Sequence, residues 1–140
     1  MAANELGRTP ILDLTFQNFG ATAIAAGLVV LVDAGHVPSS TAIGGVLLPT
    51  NGGGVAGTLG VTIDALAALT GVGRVAIMGT AVCTAHGTVT YGQIVMASDT
   101  AAHLGHVKTV TAGARQLGLA LDTATDGQQV RVALFPAMNA

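Results

Sequence analysis

With 140 residues, five Lys or Arg, seven Asp or Glu and a net charge of −2, the chain fits one domain or two very small lobes and carries far fewer charges than ordinary globular sequences. It has no basic run, one Tyr, three Phe and no Trp, so it lacks the basic stripe and stacking rings that nucleic-acid binding uses, which excludes nucleic acid as a direct partner. The single cysteine, Cys83, cannot form an intrachain disulfide and reads as a small buried apolar residue.

A compact monomer of 13.7 kDa exposes about 6,600 Å². Twelve charges cover such a surface thinly, so Gly, Ala, Thr, Ser and apolar atoms must form much of the outside. A surface of this kind is poorly protected against association, and a partner subunit is a natural occupant of it. The mean hydropathy of +0.67 raises the question of a membrane span. The longest strongly apolar stretch, Ala21 to Val32, is well short of the roughly 20 residues a spanning helix needs, and no basic region precedes it. The expectation is a soluble, non-secreted chain with no membrane partner.

In chain order, residues 1–26 read as an extended N-terminal arm that includes a leading strand. In that strand Leu12, Leu14 and Phe16 alternate with Asp13, Thr15 and Gln17. The polar start, Met1 to Thr9, and the isolation of this strand suggest an arm reaching onto a neighbouring subunit, so that a chain lacking residues 1–20 would keep a folded core but lose attachment. Residues 27–140 form a β domain: short Val/Ile/Leu/Ala runs separated by turn signals every ten residues or so predict a small all-β barrel or sandwich. Asn51 to Gly54, after Pro49, reads as a mobile loop or hairpin tip. Ala65 to Thr70, preceded by Asp64, has the makings of one helical turn.

The β domain is internally repetitive. Leu59-Gly60-Val61-Thr62-Ile63-Asp64 is echoed by Leu117-Gly118-Leu119-Ala120-Leu121-Asp122, and Arg74-Val75-Ala76-Ile77 by Arg131-Val132-Ala133-Leu134. Upstream, Gly27 to Asp33 parallels Gly92 to Asp99. The order of the blocks is kept, giving two pseudo-repeats at about 27–79 and 92–137. Within each block period-two alternation places Leu59, Val61 and Ile63, or Leu117, Leu119 and Leu121, on one face. Val75 and Ile77, like Val132 and Leu134, oppose the arginines.

Residues capable of chemistry are few. His103 and His106 have a spacing that can chelate, but in a Gly-containing turn without Cys or acidic neighbours they read as two exposed turn histidines. Cys83 and His86 lie three residues apart, which on a strand puts them on opposite faces and argues against a nucleophile–base pair. Asp33, Asp64, Asp99 and Asp122 end corresponding strands; they could converge on a cation, and turn formation explains them more simply. No catalytic, cofactor-binding or metal-binding residue is expected, and no enzymatic activity. Arg74, Arg115 and Arg131, with Leu12, Leu14 and Phe16 of the leading strand, are the candidate intersubunit contacts, because charges this scarce are suited to pairing across an interface. An ordinary solvated arginine is the equal alternative.

The run from AAGLVVLV through LGVTID and GRVAIMG to YGQIVMAS and RQLGLALDTATDGQQVRVAL resembles small phage capsid cement, or head-decoration, proteins. Gly27, Gly60, Gly79, Gly92, Gly118, Val130, Val132 and Leu134 stand at matching places, and the likeness extends over about residues 12–135. The region Val46–Gly57 is longer than the pattern and the charge content is lower. The resemblance implies a barrel-like or sandwich fold, a homo-oligomer (often a trimer) and attachment to the outer face of a phage head, with the major capsid protein as partner. It also implies a stabilising role in the virion without any cofactor. The alternatives are another virion component, such as a spike or tail-base protein, and a small ligand-binding β-barrel.

Overall fold

The structure, a computed structural model, describes residues 9–50 and 57–139. The expected loop at Asn51–Gly54 and the first eight residues of the arm lie outside the described residues. As the alternating patterns require, the fold is all-β. Its strands are β1 (Thr9–Asn18), β2 (Val29–Asp33), β3 (Gly45–Leu47), β4 (Thr58–Thr62), β5 (Val72–Thr84), β6 (Ile94–Ala97), β7 (Val107–Thr109), β8 (Arg115–Ala120) and β9 (Gln129–Asn139). A single 3₁₀ turn, Ala101–His103, is the only helical element among the described residues. No helix among them is long and apolar enough to cross a membrane.

Hydrogen bonding orders the strands β1-β3-β2-β4-β5-β9-β8-β6-β7, and β1 also pairs with β5. The first five strands therefore close into a ring, sealed where β1 runs parallel to β3 at Gln17–Gly45 and Asn18–Val46. The second half of β5 opens another ring with β9, β8, β6 and β7. That ring is sealed by one parallel bridge, Ala85–Val107. β5, with 13 residues, is about 43 Å long at the usual rise per residue and serves both rings.

The repeated sequence blocks occupy equivalent places in the two rings. Ile63 N–H donates to Arg74 O and Leu121 N–H to Arg131 O; the bridges Ile24–Leu66 and Val89–Ala124 correspond as well. In the same register β1 corresponds to the second half of β5, since Gln17 pairs with Val72 as Thr84 pairs with Gln129, and Leu14 with Val75 as Ala81 with Val132. The leading strand is thus the first strand of the first ring. The leading strand of the expected arm, residues 1–26, is built into that ring through its pairing with β5. Phe16 packs into the first core, Asn18 is buried, and a chain cut at residue 20 would lose a ring strand rather than a tether.

Ile24, Val30, Val46, Leu66 and Val75 form the core of the first ring. A larger cluster fills the second and runs back between the rings through Val29, Val61, Ile63 and Ala76. Burial of this aliphatic area is the main stabilising term. The glycines of the two LG blocks are dictated by close approach: a Cβ on Gly60 would lie 2.0 Å from Ala76 O, and one on Gly118 2.1 Å from Ala133 O. The helical turn expected at Ala65–Thr70 is instead an irregular turn, because Leu66 is drawn into its bridge with Ile24 and Leu69 adopts a left-handed φ of 66°.

Candidate interaction surface

The scarce charges are mostly used within the chain. Arg74 donates from its backbone N–H, Nε and Nη2 to the Asp64 carboxylate at 2.9, 3.1 and 3.0 Å. Arg131 repeats the fork on Asp122 at 3.1, 2.8 and 2.6 Å. The Arg131 hydrogen bonds hold the Asp122 carboxyl below its usual range, and the same contacts raise both guanidiniums. Both forks are open to water. Asp33 accepts from Gly35 N–H and holds His36, and Asp99 lies 3.6 Å from Lys108. The four strand-end aspartates therefore each serve a local turn or ion pair and do not converge. Arg115 differs: it is half-buried, and its Nε is buried without a hydrogen-bond partner in the described structure.

Cys83 is 1% exposed in the second core, and burial pushes its thiol up to about 12. A thiol so placed is held protonated and out of reach of reagents. Native protein at pH 8 should react with a disulfide reagent only as fast as it opens, whereas protein in denaturant should titrate one thiol at once. Stoichiometric labelling of the native chain within seconds would show that the core is not closed at this strand.

Several exposed apolar residues lie on β1 and β5, while Val32, Val37, Leu69 and Tyr91 are exposed elsewhere. Ile11 is 79% exposed, Leu14 47%, and Leu12 41%; Val72 and Met78 of β5 are also exposed. Leu12 pairs with Met78 and Leu14 with Val75, with a bulge at Leu12 that leaves Ile77 without a counterpart. Along Leu12, Leu14 and Phe16 only Phe16 reaches the core; the other two emerge into solvent. The strand edge beside them is open too. β1 meets β3 only through Gln17 and Asn18, so residues 9–15 have no second strand partner among the described residues. An exposed edge with apolar side chains is a template for association, and folded proteins normally blunt it with charge. Here Asp13 is the only charge between Thr9 and Asn18.

Among the described residues the cavities are small or shallow. One, lined by Leu59, Ile77, Met78, Leu117, Leu134 and Phe135, lies where the two rings meet. A wider, more open one lies between Asn18–Ile24 and Leu47–Thr50. No group of three or more His, Cys, Asp or Glu residues among those described is arranged to hold a metal ion. Cys83 and His86 do not meet: the thiol lies in the core, while the His86 ring stacks on His103. His103 and His106, expected as exposed turn residues, are half-buried and share a corner with His86. His86 lies 17 positions before His103, so spacing along the chain gave no signal; the internal repeat, which aligns the corners of the two rings, could have revealed it.

No protein-family model matches the chain, and no curated protein matches it in sequence. Its fold is similar to that of a solved structure, the N base of head fiber gp8.5 in bacteriophage phi29. The two share 12% sequence identity with a TM-score of 0.61, over 89% of this chain and 95% of that one.

Proposed function

We propose that this chain is a structural subunit of a phage virion, held on the outside of the head, where it associates with copies of itself and with the major capsid protein. The observation that carries the reading is the open apolar edge of β1 on a chain that has 12 charged residues to cover its surface. The likeness to a head fiber base supports it, because that likeness spans nearly the whole of both chains. The role is mechanical. An oligomer, with a trimer favoured, that bridges neighbouring capsid subunits adds buried area at several points at once, and repeated weak contacts hold it firmly. Arg115 is the arginine best suited to a contact across the interface, since Arg74 and Arg131 already serve Asp64 and Asp122. No cofactor or turnover is needed for this work.

The same fold likeness favours a second reading, in which the chain is a base on which a fibre is mounted. Stoichiometry separates the two. Purified chain is added to heads of the encoding phage that lack it, and the heads are sedimented. Saturation at several copies per capsomer, with heads that rupture at higher temperature, is expected for decoration. Saturation at a few copies per head would favour the fibre base. Lack of binding, together with absence of the chain from virions, would sink both.

A further inference from the structure

The seams of the two rings carry corresponding corners built from different residues. Asn18 pairs with Val46 as Ala85 pairs with Val107. The residues that follow, Phe19 and His86, therefore correspond, and each lies face to face with a histidine from the next connection. Phe19 stacks on His36 with ring centres 3.8 Å apart, and His86 on His103 at 4.1 Å. Val32 pairs with Val46 and Ala97 with Val107, which aligns Asp33 with Ser98 and Gly45 with His106. In the first ring the corner holds one imidazole, and Asp33 Oδ2 lies 2.8 Å from its Nδ1. Gly45 leaves room there, since a Cβ on it would meet His36, Asp33 and Phe19 at 2.8 to 3.0 Å.

The second corner has the opposite electrostatics. Ser98 takes the place of the carboxylate, its Oγ 2.8 Å from His86 Nδ1. His106 takes the place of glycine and meets His103 edge-on at 5.3 Å. The Nδ1 atoms of His103 and His106 are buried without hydrogen-bond partners in the described structure. These rings stand on the backbone that seals the ring: His86 N–H donates to Val107 O at 2.7 Å, Ser98 N–H to His106 O at 2.7 Å, and His106 N–H to His103 O at 3.0 Å.

We propose that His86, His103 and His106 form an acid-sensitive latch on the seam of the second ring, closed while the imidazoles are neutral and opened when they take up protons. Among the described residues, the carboxylate whose charge acts on all three imidazoles is Asp126, in the turn before β9, which accepts from Gly87 N–H at 2.8 Å. From β7 Lys108 adds a positive charge, which Asp99 offsets at 3.6 Å. Three imidazolium ions, with the His103 ring 4.1 Å from that of His86 and 5.3 Å from that of His106, would face the single charge of Asp126, and like charges so close and partly desolvated repel strongly. In the first ring, by contrast, a cation on His36 would be met by Asp33. Burial, then the neighbouring imidazoles, lower His86 and His106 from their ordinary 6.5. The folded value lies below the unfolded one, so the latch contributes fully above about pH 6.5 and its stability is lost as the pH falls below that.

Amide hydrogen exchange of the whole chain at pH 7.5 and 5.0, corrected for intrinsic exchange, tests this. At pH 5.0 the amides of His86, Ser98 and His106 should exchange on the order of tenfold faster or more, while Gln17 and Gly45 at the first seam change by less than about twofold. The triple variant His86→Phe, Ser98→Asp, His106→Gly rebuilds the first corner in the second ring and should stay closed at pH 5.0. Should that variant fail to fold, imidazole nitrogen NMR of the unaltered chain decides. His86 and His106 should be neutral at pH 7 and become charged only as the seam amides are exposed. Equal opening of both seams, no opening at pH 5.0, or charged His86 and His106 at a closed seam would each overturn the latch.

Discussion

Gly118→Ala should destabilise the chain by roughly 3 kcal/mol, seen as a fall of about 10 °C in melting temperature. The added methyl would sit 2.1 Å from Ala133 O, 2.9 Å from Ala133 C and 2.8 Å from Val132 Cγ1. Two of these atoms are backbone, held by the β8–β9 ladder at Gly118–Leu134, Leu119–Ala133 and Ala120–Val132, so they cannot turn aside as a flexible side chain would. The contact therefore has to be relieved by moving β9 away from β8, which breaks ladder hydrogen bonds and opens the second core at Val132. Gly60→Ala should do the same to the first ring, where Ala76 O would be 2.0 Å away. Gly113→Ala is the contrast. That glycine has a left-handed φ of 79° but nothing within 4 Å of the added methyl, so only the backbone preference is lost, at about 1 kcal/mol. Chemical denaturation of the three variants compares them directly. Equal losses at Gly118 and Gly113 would mean that the close approach of β8 to β9 is not a constraint on this fold.

These glycines also show what the sequence discloses. The LG and RVA blocks were recognisable because a strand buried on one face writes a period of two into the chain, and close approach leaves only glycine at Gly60 and Gly118. The equivalence of β1 with the second half of β5 was not recognisable. Leu14, Thr15 and Phe16 correspond to Ala81, Val82 and Cys83, and strand pairing through backbone groups puts no constraint on residue identity. The seams of the rings, too, join residues far apart in the chain, such as Gln17 with Gly45 and Ala85 with Val107, and leave no local mark. Ala65–Thr70 departs from its local preference for the reverse reason: Ala and Leu favour a helix locally, while the bridge of Leu66 to Ile24 overrides that preference. At the surface, the apolar alternation of Leu12 and Leu14 was readable, but their emergence into solvent beyond Phe16 depends on where the ring ends.

That emergence is the basis of the second large effect. The double variant Ile11→Lys, Leu14→Lys should remain folded, with a melting temperature within a few degrees of the parent, and should lose self-association by at least about 100-fold, or ~3 kcal/mol. Ile11 is largely and Leu14 about half in water, and neither belongs to the core, so charging them removes little from it, whereas Phe16 and Val75 beside them stay in place. In an interface the same two lysines would have to be desolvated, and on a rotationally symmetric oligomer each copy would bring its own pair close to the next. Charge on an open edge is also the means by which natural sheets prevent strand addition. Sedimentation equilibrium over a range of protein concentrations gives the association constant of each protein, and a thermal melt of the same samples shows that the fold survives. A charged Leu69, 58% exposed in a turn that bonds the far end of β1 at Gln17 rather than its open edge at Ile11 and Leu14, provides the matched control and should associate as the parent does. If the parent is an oligomer and the β1 variant associates equally well, the interface lies elsewhere on the surface. If Leu69→Lys is as damaging as the pair on β1, association depends on the apolar surface as a whole and not on the open strand edge.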